Sequence, residues 1–150
     1  MSDNDRPTET TFDDALLDDD VINSVGLHPI TNFVSDAIAY VDPTASVRDA
    51  AVQLRTADVS LAVVGNQQQV LGVVSERDIV RAVALDLNLD LTLVDAVETD
   101  ELKWATVDST VDDVVKEMLQ NYLRHVLVRH DDGSLAGVAS MRDLLAVYMV

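Results

Sequence analysis

The string LGVVSERDIVRA, Leu71–Ala82, runs from an apolar, strand-like stretch containing a Gly into a Ser and then an Arg–Asp pair at a helix start, and AGVASMRDLLAV, Ala136–Val147, does the same. Gly72 and Gly137, Ser75 and Ser140, Arg77 and Arg142, and Asp78 and Asp143 all keep one spacing of 65 residues. A chain that returns to the same corner is built from copies of one unit, each burying its apolar face on its neighbour. The repeat therefore decides the reading of the fold.

Working outward, apolar residues recur at Val47, Ala50, Ala51 and Leu54, and again at Val111, Val114, Val115, Met118 and Leu119. Spacings of three and four put one apolar stripe on a helix. Ser46 and Thr110 stand immediately before the stripes as N-caps. SLAVV at 60–64 and RHVLVR at 124–129 read as strands, and the turn HDDGS after the second carries an Asp-Gly pair that favours a hairpin. VLGVVS and LAGVAS follow as second strands, then helices from Glu76 to near Leu85 and from Met141 onward. VSDAI at 34–38 and LVDAV at 93–97 read as equivalents, each a short turn or helix before an extended stretch.

Each copy thus reads β-α-β-β-α, and the fold class is α/β (α+β). One unit of this size buries too little surface alone, so the two copies are expected to pack about a pseudo-twofold axis through their sheets. The expected division is an acidic flexible tail at 1–20, a lead-in at 21–33, a first repeat at 34–86 and a second at 87–150.

Composition narrows the function classes. There is no run of eighteen apolar residues and no basic stretch followed by an apolar one near the start, so neither a membrane span nor a secretory signal is expected. The absence of Cys removes disulfides, thiolate metal sites and Cys nucleophiles together, in keeping with a cytoplasmic protein. Against 27 acidic residues stand 10 basic ones, a net charge of −17. Nucleic acid and anionic membranes need Lys and Arg to replace their counterions, so neither is an expected partner. Self-repulsion on this scale is relieved by salt, and the acid-rich, lysine-poor composition resembles that of haloarchaeal proteins. Stability is therefore expected to rise from low to molar KCl; a melting temperature indifferent to KCl excludes the halophilic reading.

The corner admits two chemical readings. Ser followed three residues later by an acid is a capping box, which needs no ligand. Alternatively, a helix N-terminus binds anions, Arg77 or Arg142 offers a planar fork for phosphate, and Asp78 or Asp143 offers acceptors for a diol. Arg77, Arg81, Arg124, Arg129 and Arg142, with His125, cluster in or beside the strands and corners. They either pair with neighbouring acids or draw a phosphate-bearing ligand to a chain that otherwise repels one.

GVVSERDIV and GVASMRDLL, with RHVLVR before the second, resemble the paired CBS domain, or Bateman module, over residues 34–150. The resemblance implies a regulatory fold that binds adenosine nucleotides (AMP, ADP or ATP) between its repeats and often forms a homodimer; Mg²⁺, which commonly bridges phosphates to carboxylates, is compatible with such a ligand, although no dedicated metal site is visible in the sequence. It implies ribose contacts for Asp78 and Asp143, ribose or phosphate contacts for Ser75 and Ser140, and phosphate contacts for Arg77 and Arg142. It implies base contacts near Tyr40, Val41, Ser60, Leu61 and Ala62, and near Trp104, Thr106, Arg124, His125 and Val126. Two departures stand out: Ala62 and Leu127 occupy places where the family often has Pro, and Tyr40 and Trp104 are bulky where it has small residues. Either aromatic stacks on the base or plugs the site, or Thr106 takes the equivalent place in the second repeat. The second corner, with Arg124, His125 and Arg142 together, is the better candidate if one site alone is competent.

The expected function is a non-catalytic sensor of adenine nucleotides that signals in trans to an effector protein. The alternatives are a ligand-free assembly module, or a binder of S-adenosylmethionine or NAD. The three histidines, His28, His125 and His130, have no nucleophile or metal partner at a telling spacing, so an enzyme is not expected.

Overall fold

A computed structural model describes residues 26–149. The acidic stretch 1–20 and the first residues of the lead-in, 21–25, lie outside the described residues. In the first repeat, β1 (Tyr40–Val41), α1 (Val47–Ala57), β2 (Leu61–Gly65), β3 (Val70–Ser75) and α2 (Glu76–Ala84) follow one another. In the second, β4 (Trp104–Thr106), α3 (Val111–Asn121), β5 (His125–Arg129), β6 (Leu135–Ser140) and α4 (Met141–Tyr148) do so in the same order. Each repeat forms a three-stranded sheet in which the first strand pairs parallel to the second and the second antiparallel to the third.

The middle residues of the central strands are apolar and buried on both faces. Along β2, Ala62 and Val64 pack on their own helices, whereas Val63 faces the other sheet; in β5, Val126 and Val128 do the first and Leu127 the second. Period-two alternation between two apolar environments makes such a strand read as a continuous apolar run. Val63, Val73, Leu127 and Leu135 form the core shared by the two sheets.

The helices begin where the sequence places them. Ser46 and Thr110 each accept the amide of the residue three on, Asp49 and Asp113, whose carboxylates accept the cap amides in return. α1 and α3 both end on a non-glycine residue in the left-handed region, Asp58 at φ 54° and Tyr122 at φ 56°. The HDDGS turn closes with His130 N donating to Ser134 O at 2.8 Å and Gly133 at φ 86°.

The lead-in segments cross over. Ile30, in a 3-10 turn over Ile30–Phe33, is buried among Val111, Val114 and Met118 of the second repeat. Val94, in the corresponding turn Val94–Ala96, is buried among Ala50, Leu54 and Ala62 of the first. The hydrogen bonds match pairwise: Ile30 N to Ser109 O and Val111 N to His28 O on one side, Val94 N to Ala45 O and Val47 N to Thr92 O on the other. Further on, Ser35 and Val138 exchange two backbone bonds, as do Val73 and Thr99. Such reciprocal contacts, in which each copy gives the other what it receives, are the mark of a twofold relation. The equivalence expected between VSDAI and LVDAV is corrected accordingly. Val94–Ala96 corresponds to Ile30–Phe33, and residues 34–38 form no helical turn, because Ser35 is held in a bridge to Val138 that fixes the register of the crossing chain.

These crossings explain the glycine of each corner. A Cβ on Gly72 would lie 2.8 Å from the Thr99 carbonyl oxygen, and one on Gly137 would lie 2.7 Å from that of Ser35. What approaches closely at both corners is backbone from the exchanged segment.

Candidate functional site

Two grooves open between the repeats, and Ser60, Leu61, Arg124 and His125 line both of them. These four residues open β2 and β5, which place them at the junction of the repeats. Ser60 Oγ and His125 Nε2 lie 3.3 Å apart across it. Burial, then the neighbouring Arg124, lowers the imidazole pKa of His125 below its ordinary value, with Asp143 opposing. The ring is therefore neutral at neutral pH and offers a hydrogen bond rather than a charge.

The larger groove, about 1240 Å³, takes in the second corner with Ser140, Arg142 and Asp143. The smaller, about 450 Å³, takes in the first corner with Ser75, Arg77 and Asp78. Tyr40, Val41, Ala62, Trp104, Thr106 and Val126 line neither. Val41, Ala62 and Val126 are buried in the cores beneath the helices. Trp104 packs on the core between the sheets with the Arg129 guanidinium 5.8 Å from its ring centre, and Tyr40 is 36% exposed.

The two corners differ in what their acids do. Asp78 is 3% exposed, and its Oδ2 accepts the Ser75 amide at 2.9 Å and the Ser75 hydroxyl at 3.0 Å. Its Oδ1 receives Arg81 at 3.5 Å. The capping box there is complete, and the carboxylate is committed to it. At the second corner Ser140 Oγ accepts the Asp143 amide at 3.1 Å, but no return bond forms. Asp143 is exposed, and among the described residues its carboxylate has no hydrogen-bond partner, so its acceptors remain open toward the larger groove.

Positive charge concentrates here. One of the ten Lys/Arg, Arg6, lies outside the described residues; of the other nine, Arg55, Arg77, Arg81, Lys103, Arg124 and Arg142 line the grooves. Arg55 and Lys103 escaped the sequence reading, as did Tyr122. Arg55 sits in the last turn of α1 and Lys103 in the crossing segment, and nothing in the local spacing points either toward a cleft. Among the described residues no group of three or more His, Asp or Glu is placed to hold a metal ion.

Glu98 marks a further asymmetry. It stands where Val34 stands in the other half, and its Oε2 is buried against Gly72 without a hydrogen-bond partner. Burial, then Asp95 and Asp100, raises its carboxyl above the usual range. With the folded pKa raised above the unfolded one, the folded state binds the proton more tightly, so stability falls as pH rises through the interval between them. Glu98→Val is expected to stabilise the chain by about 1 kcal/mol near neutrality, and by less once pH falls to the ordinary carboxylate range. Thermal melts at both pH values check this; a gain independent of pH refutes it.

The model of the family described as the CBS domain matches residues 30–85 and 94–150. An uncharacterized 17.7 kDa protein of Acidianus ambivalens is 32% identical over 116 residues, 77% of this chain and 70% of that one. Among solved structures, a CBS domain protein from Pyrobaculum aerophilum complexed with AMP is 29% identical with a TM-score of 0.72, over 82% of this chain and 100% of that one. An uncharacterized conserved protein from Pyrococcus horikoshii is 27% identical with a TM-score of 0.74, over 81% and 92%.

Proposed function

Because the chain belongs to the CBS domain family and carries two copies of that domain, we propose that it is a non-catalytic sensor that takes an adenine nucleotide into its larger groove. The observation that carries this reading is the company Asp143 keeps. An uncommitted carboxylate suited to a ribose diol lies in one groove with Arg55, Arg124 and Arg142, in a chain of net charge −17. The AMP complex of the Pyrobaculum relative supports the choice of ligand. The first turn of α4 adds free amides at the positive end of a helix. No helix among the described residues is long and apolar enough to cross a membrane.

In this mechanism phosphate neutralises the arginines while Asp143 and Ser140 hold the ribose. Both lie on the second repeat, whereas Arg55, Ser60 and Glu76 line the same groove from the first. A ligand spanning the two changes their relation only by binding one arrangement more tightly than another, and an effector protein reads the change. Calorimetric titration with AMP, ADP and ATP in molar KCl tests this, the expected result being at least one saturable site. No heat and no thermal shift with any of the three overturns it and turns attention to S-adenosylmethionine and NAD.

A second reading, self-assembly, draws on exposed apolar side chains of α2 and α4, namely Val80, Val83 and Leu145. Burial against a second copy would remove them from water. Sedimentation of a Leu145→Lys chain tests it, and an unchanged mass counts against that face.

A further inference from the structure

Tyr122 is 95% exposed, although the chain has only six aromatic residues. Its backbone is left-handed, φ 56°, and its N–H closes α3 by donating to the Met118 carbonyl. Glycine adopts that conformation freely, while a bulky side chain adopts it at a cost. Neither helix closure nor core packing requires an aromatic ring there.

Tyr122 lies at the rim of the smaller groove, whose cations include Arg77, Lys103 and Arg124 and whose apolar lining includes Leu61, Leu102 and Leu127. The equivalent position in the larger groove is Asp58, also left-handed. The two grooves thus share a backbone shape and differ in what it presents, an acid in one and a ring in the other. Strain held at a cleft, in a residue that packs on little else, points to a contact made with something absent from the free chain.

We propose that Tyr122 is a stacking platform for a planar base in the smaller groove, which thereby takes a phosphate-bearing aromatic ligand without reading its ribose diol. Asp78, the acid that would read the diol, is spent on the cap of α2 and on Arg81. The base lies on the ring and the phosphate meets Arg77 and Lys103. The inference rests on the reading that these clefts take nucleotides.

The test uses the full chain in molar KCl with two probes, AMP and ribose 5-phosphate, which lacks the base. Amide shifts of residues 75–78 against 140–143 report which groove is filled. Tyr122→Gly is expected to melt higher than the wild type, because Gly relieves the left-handed strain. It is expected to bind AMP about tenfold more weakly in the smaller groove, in the range of one base stacked on one aromatic. Its affinity for ribose 5-phosphate is expected to stay unchanged, and Tyr122→Phe is expected to keep the AMP affinity. Equal losses for both probes, no loss for AMP, or AMP shifts confined to residues 140–143 overturn the inference while leaving the larger groove intact. AMP shifts at neither corner overturn the nucleotide reading itself.

Discussion

A Gly137→Ala chain is expected to lose about 2–3 kcal/mol of stability, the upper range for an overpacked site. The added methyl would meet the Ser35 carbonyl oxygen at 2.7 Å, and that oxygen also accepts the Val138 amide at 3.1 Å. Backbone held by a two-bond ladder does not yield as a side-chain tip does, so the ladder between the crossing segment and β6 must open. Val34 Cγ1, 2.6 Å from the same point, is a side-chain atom and can move. Adding Val34→Ala is therefore expected to recover a minor part of the loss. Denaturation midpoints measure both effects, and faster amide exchange at Ser35 and Val138 locates them. A loss below half the expected value, or full rescue by Val34→Ala, shows that the backbone contact is not what excludes a side chain.

The second large effect separates the two corners. Asp143→Ala is expected to weaken AMP binding at least tenfold, since charge-assisted bonds from two ribose hydroxyls contribute about 1.5–3 kcal/mol. Stability should change little, because Ser140 still caps α4 through its hydroxyl. Asp78→Ala is expected to do the reverse. It leaves the Ser75 amide and hydroxyl without their buried acceptor and costs about 2 kcal/mol, while AMP affinity in the larger groove is retained. Titration and melting of both variants, with 2′-deoxy-AMP as a second ligand, decide the matter. Asp143→Ala should bind AMP and the deoxy form alike. Equal binding losses in the two variants mean that Asp78 leaves its cap when ligand arrives.

Most of the fold was legible because it is local. Stripes at three and four, a Ser or Thr with an acid three residues on, and an Asp-Gly turn each involve residues close in sequence, and the observed caps at Ser46, Ser75, Thr110 and Ser140 follow from them. The site was legible in part. Ser75, Arg77, Asp78, Ser140, Arg142 and Asp143, with Ser60, Leu61, Arg124 and His125, line the grooves, whereas Tyr40 and Trp104 do not. A residue's place in a parallel strand tells which face it takes, but the depth of the sheet beneath the groove depends on how the second sheet packs against it.

By itself, then, the sequence determined the repeat, the order β-α-β-β-α, the helix starts and the corners that line the clefts, all set by spacings of a few residues or by one period. Tertiary structure alone decided which core each lead-in joins, since Ile30 and Val94 look the same in either and are committed by hydrogen bonds to residues far along the chain. It also decided that Asp78 turns into its cap while Asp143 stays open, and that Tyr122 stands at a groove. Part of that difference is written in the sequence, since Arg81, three residues beyond Asp78, has Ala146 as its counterpart beyond Asp143; the burial of Asp78 and the exposure of Asp143 depend on how the repeats pack around each corner, and spacing along the chain carries no record of that.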